Sequence, residues 1–83
     1  MYEYYFVFRS VTRAQRGVLA LQTQGVSASL VPVARTLLPT GCGYAVKVKA
    51  ADAYQAAAYF RMEKIEFQKV YRASYSRVEE VYL

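Results

Sequence analysis

Cys42 is the single thiol of an 83-residue chain that contains no histidine and no tryptophan. It stands in Leu38-Pro39-Thr40-Gly41-Cys42-Gly43, between two residues that accept positive φ. Its sulfur is therefore expected on a sharply turned, sterically open backbone. A free thiol has a pKa of about 8.5, and a helix N-terminus or a nearby cation lowers it toward neutrality. Without histidine, no Cys–His pair can form within the chain. One cysteine among scattered carboxylates is a poor zinc constellation, so no metal site is expected. Carrying a sulfur or selenium atom as a persulfide or selenide needs only one nucleophilic thiol, and that role passes the same test. The competing reading is an inert cysteine in a glycine-rich turn, which leaves the chain only binding to perform.

The elements that must position this thiol follow from periodicity. Residues 3–9 alternate, with Tyr4, Phe6 and Phe8 on one face and Tyr5 and Val7 on the other. A strand apolar on both faces is expected in the middle of a sheet. Ser10 or Thr12 offers an N-cap, and Val11, Ala14, Val18 and Leu21 form one stripe of an amphipathic helix. Gly25 stands where a helix ends in the left-handed conformation. Val26 to Val31 reads as a second strand that Pro32 stops or marks as an edge. Residues 33–41 form a loop, and Gly43 to Lys49 alternates as a third strand with one wet side. Asp52 is the expected cap of an alanine-rich helix through about Met62, with Ala53, Ala56 or Ala57, and Phe60 buried. Ile65 to Arg72 is the fourth strand. In residues 73–83, Tyr75, Val78 and Tyr82 recur at helical spacing, and a short helix, an added edge or a docking segment all fit.

The order β-α-β-β-α-β predicts one α+β domain over residues 1–83. Its expected form is the ferredoxin-like sandwich: a four-stranded antiparallel sheet with two helices on one face and 73–83 as an extension. Following the chain, the connection that carries Cys42 falls at the same end as the first strand–helix junction. That junction holds Arg9, Ser10 and Arg13 beside the unpaired N–H groups of the helix start. Arg9, Arg13 and Arg35 are the cations able to approach this end. A thiolate, selenide or phosphate is the class of anion such N–H groups hold. Gly41 and Gly43 serve backbone geometry in either reading of Cys42.

Composition narrows the class further. The chain is 55% apolar and 20% charged, which suits a packed domain rather than disorder. Nine tyrosines are many for this length, and some are expected at the surface or an interface. One cysteine cannot form an internal disulfide. The opening residues lack a basic segment followed by a long apolar run, and no stretch approaches a membrane span, so the cytoplasm is the expected compartment. Eleven Lys+Arg against six Asp+Glu give a net charge of +5, which favours anionic partners without naming them.

Val31-Pro32-Val33-Ala34-Arg35, six further residues, and Cys42-Gly43-Tyr44-Ala45 resemble the signature of the selenium/sulfur carrier protein-like family, a domain of unknown function. Its members show a Pro-x-x-Arg segment followed shortly by Cys-Gly entering a strand. The aromatic opening Tyr5-Phe6-Val7-Phe8-Arg9-Ser10, ahead of an alanine-containing helix, is similar as well. The resemblance covers roughly residues 4–60. It implies Cys42 as the carrier residue, Arg35 as its neighbour, and partner proteins that donate or accept sulfur or selenium. Many members have a second proline before the arginine, where this chain has Ala34.

Two other classes compete. RNA-recognition modules share the element order and carry a basic-Gly-aromatic-Gly/Ala-aromatic third strand. Gly43-Tyr44-Ala45-Val46-Lys47 matches it partway, but Val46 replaces the second stacking aromatic, which leaves exposed tyrosines such as Tyr4 and Tyr44 to do the work. A small interaction module that dimerises through an edge strand and its tyrosines is the other. The expected function is a carrier or binding module rather than a turnover enzyme, without membrane, metal or resident cofactor beyond a transient persulfide or selenide on Cys42.

Overall fold

The computed structural model describes residues 2–33, 43–75 and 77–83. Arg35, Gly41 and Cys42 lie outside the described residues. The elements run β1 (Glu3–Val7), α1 (Val11–Thr23), β2 (Ala28–Pro32), β3 (Tyr44–Lys49), α2 (Ala53–Met62), β4 (Lys69–Ala73) and β5 (Val78–Val81). All four strand pairings are antiparallel, in the order β2-β3-β1-β4-β5. Among the described residues the fold is α+β with a sheet of five strands, not the four expected.

β1 lies between β3 and β4, as its two apolar faces predict. Tyr4 and Phe6 are buried with Phe8 against the helices; Tyr5 and Val7 point to the other face. Ala14 and Leu21 of α1 join Ala53, Ala56, Ala57 and Phe60 of α2 in the same cluster, so both helices cover one face of the sheet. Phe60 is its hub. Its ring meets Phe6 and Phe8 edge to face, at centroid distances of 5.2 and 5.4 Å, and Phe67 at 5.9 Å. Val11 is 38% exposed and does not belong to the buried stripe of α1. Gly17 takes an inward position instead, because a Cβ there would stand 3.2 Å from the rings of both Phe8 and Phe60.

Both helices end in the same hydrogen-bond pattern. Gly25 and Val26 donate to Gln22 and Leu21, and Lys64 and Ile65 donate to Arg61 and Phe60. Gly25 supplies the required left-handed residue at φ 77°. In the second helix that residue is Lys64, at φ 56°, which costs about 1 kcal/mol more than glycine would. Ile65 is thus a buried helix-end residue rather than the start of the fourth strand, which begins at Lys69. Asp52 also departs from expectation. It closes a 3-10 turn, Ala50–Asp52, and makes no side-chain capping bond to α2.

Residues 78–81 add a strand to the edge of β4 rather than a helix. Cross-strand charge explains the choice. Arg72 donates to Glu79 directly opposite it, and Lys69 Nζ lies 3.6 Å from Glu80 Oε1. The Arg72 guanidinium holds the Glu79 carboxyl below its usual range, and it also stacks 4.8 Å from the Tyr2 ring. Tyrosine display matches expectation in Tyr54, Tyr75 and Tyr82, which are largely exposed.

Candidate functional site

Three connections meet at one end of the sheet. Val7, the last residue of β1, is opposite Ala45 near the start of β3, and Ala45 is opposite Val31 near the end of β2. The chain therefore leaves β2 and enters β3 at the end where β1 passes into α1. Val33 N–H donates to the Gly43 carbonyl at 2.9 Å, which extends the β2–β3 ladder by one step. On the other side of β1, Gln68 N–H donates to the Val7 carbonyl at 2.7 Å, which brings the α2–β4 connection to the same end.

At this end Ser10 is extended (φ −140°, ψ 157°), and its Oγ accepts from Arg13 N–H at 3.2 Å. This selects Ser10 over Thr12 as the cap of α1. Arg9 and Arg13 are exposed beside it, and the first turn of α1 contains no acidic residue. On the helix-free face, Val7, Ala45 and Tyr71 form a second small buried cluster, against which Val33 packs. The residues that flank 34–42 are thus anchored by a backbone bond and by apolar contact.

Gly43 has φ 87° with open space where a Cβ would project. Its role is conformational rather than steric. Gly43→Ala is expected to cost about 1–2 kcal/mol through backbone strain alone, read as a lower urea midpoint at an unchanged slope. A midpoint equal to that of the parent would contradict the left-handed assignment.

Of the residues proposed from sequence, Arg9, Ser10, Arg13 and Gly43 are brought to one end of the sheet. Cys42, Arg35 and Gly41 lie outside the described residues. The stacking reading of an RNA interface needs correction at Tyr4, which is 9% exposed and packed in the helix-side core. Tyr44 is exposed, but it shares the face of Val46 and Val48, which pack beneath the helices. An open platform of paired aromatics on the helix-free face is not what these two tyrosines form.

Sequence reasoning missed a cleft of about 200 Å³ at this end, lined by Arg13, Arg16, Lys64, Ile65 and Glu66. Its signal was hidden because Lys64 comes from the far side of the chain, at a helix end where glycine is the usual marker. Among the described residues, no group of three or more His, Cys, Asp or Glu side chains is gathered as a metal site. Also among them, no helix is long and apolar enough to cross a membrane.

A family model described as "Putative Se/S carrier protein-like" matches residues 3–72. No curated protein and no solved structure matches the chain.

Proposed function

This chain belongs to the selenium/sulfur carrier protein-like family, and we propose that Cys42 is the thiol on which it carries sulfur or selenium between partner proteins. The observation that supports the reading most is the strand register, by which β2 and β3 open toward Ser10 and Arg13 at the start of α1. A thiol entering β3 through Gly43 would meet positive charge from Arg9, Arg13 and the helix N-terminus, with Arg35 on the same connection. That environment favours the thiolate. The fold that carries it is the ferredoxin-like arrangement with β5 added at the β4 edge.

The chemistry needs no external oxidant. The Cys42 thiolate attacks the outer sulfur of a donor persulfide, a new S–S bond forms, and the donor S–S bond breaks. The donor's inner sulfur leaves with the electron pair as a thiolate, and the outer sulfur stays on Cys42 as its persulfide. Delivery is the same exchange in reverse: an acceptor thiolate takes the outer sulfur, and Cys42 is released as the leaving thiolate. Anionic groups at the start of α1 would be stabilised at both stages. The test is incubation with a persulfide donor followed by intact mass spectrometry. A mass gain of one sulfur atom, reversed by dithiothreitol, is expected; an unchanged mass would contradict the carrier role.

Self-association is a second reading, favoured by the edge strand β5 and the exposed side chains beside it. Tyr75 and Tyr82 are 100% and 88% exposed, and Val78 is 41% exposed. Pairing of β5 with its copy predicts a dimer in sedimentation equilibrium that dissociates when Val78→Lys is introduced. A monomer at all concentrations would exclude it.

A further inference from the structure

We infer that the cleft between α1 and the α2–β4 connection is a binding site for a phosphate-type oxoanion, free or as the terminal group of a small ester. Arg13 and Arg16 lie three residues apart on one exposed face of α1, and Lys64 faces them from the helix end across the cleft. Glu66 is the one carboxylate lining the cleft, against three cations. On the strands, Lys47 is paired with Glu3, Lys69 with Glu80 and Arg72 with Glu79. Among the described residues, no ion pair involves Arg13, Arg16 or Lys64.

Two features of the backbone sharpen this. Helix starts favour acidic residues, because the unpaired N–H groups carry partial positive charge. The first turn of α1 has none, and Arg13 adds positive charge there where it is electrostatically unfavourable, with Arg16 following it in the next turn. An anion in the cleft would resolve that imbalance. Lys64, in turn, occupies a left-handed position at φ 56° where glycine is favoured. A strained residue that lines a charged cleft points to a role beyond closing the helix. The volume of about 200 Å³ is below that of pockets for drug-sized ligands but sufficient for one oxoanion. Guanidinium forks match the geometry of phosphate oxygens.

This site does not depend on the thiol chemistry of Cys42, and the experiment separates the two. Inorganic phosphate is titrated at constant ionic strength, made up with chloride, while the backbone amide resonances of residues 11–16 and 64–66 are followed by NMR. Saturable shifts are expected. They are expected to weaken at least about tenfold in Arg13→Gln/Arg16→Gln and to persist unchanged in Cys42→Ser. Lys64→Gly is the discriminating variant, because it is expected to raise Tm while weakening phosphate binding. A purely structural Lys64 would change Tm alone, and that result overturns its part in the site. A second arm compares glycerol phosphate with inorganic phosphate: tighter binding assigns the ester, and equal or weaker binding assigns the free ion. The proposal is overturned by shifts that do not saturate, by equal affinity in the double variant, or by saturation with poly-glutamate in the absence of any phosphate response.

Discussion

Phe60→Ala is expected to remove about 3–5 kcal/mol of stability, a large share of the roughly 5–15 kcal/mol available to a domain of this size. The ring is fully buried and holds both helices and the sheet at once. It meets three other phenylalanines and forms a surface against which Gly17 of α1 approaches to contact distance. Truncation opens a cavity that the rigid strand β1 cannot collapse to fill, so both transfer and cavity contributions are lost. Urea denaturation followed by circular dichroism checks this. The midpoint should fall steeply, or the cooperative transition should vanish. Leu19→Ala is the control, since Leu19 is 64% exposed and its change should stay within about 0.5 kcal/mol. Equal effects of the two substitutions would contradict the assignment of Phe60 as the hub.

The second large effect concerns function. Cys42→Ser is expected to abolish sulfur loading completely while the urea midpoint remains near that of the parent chain. The chain has no other cysteine and no histidine to substitute for the lost nucleophile. A serine hydroxyl is not appreciably ionised near neutrality and does not attack a persulfide sulfur. Partial loading of Cys42→Ser would show that the mass gain arises by a route other than this thiol. Arg13→Gln should instead slow alkylation of Cys42 by iodoacetamide near neutral pH, by reducing the thiolate fraction.

Much of the fold was legible because it rests on burial alternation. Tyr4, Phe6 and Phe8 against Tyr5 and Val7 identified a central strand. Ala53, Ala56 or Ala57, and Phe60 identified the buried face of α2, where the structure buries both alanines, and Gly25 marked the end of α1. The C-terminal segment was ambiguous because Tyr75, Val78 and Tyr82 keep helical spacing. Its conformation is decided by partners on β4, where Arg72 and Lys69 meet Glu79 and Glu80. Such cross-strand pairing leaves no local period. Asp52 looked like a cap, but a 3-10 turn satisfies the start of α2 without its side chain. Lys64 concealed a helix end because it adopts the left-handed conformation without being glycine.

The site was legible as a direction rather than as a constellation. Tracing the chain through β1, α1, β2 and β3 placed the flanks of residues 34–42 at the start of α1, and the registers of Val7, Ala45 and Val31 agree. The basic cleft was not visible. Arg13 and Arg16 are separated from Lys64 by most of the chain, and only the helix–sheet packing brings them together. Arg16 in isolation reads as an ordinary solvated charge. In the fold it lines the same cleft as Arg13.

The most direct measurement is transfer of a radiolabelled sulfur atom. The purified protein is loaded from a labelled persulfide donor, freed of that donor, and mixed with an acceptor thiol protein. A carrier predicts label on Cys42 after the first step, and its loss from Cys42 matched by its appearance on the acceptor after the second. Label that never enters the chain, or that stays on Cys42 while a competent acceptor remains unlabelled, would contradict the account.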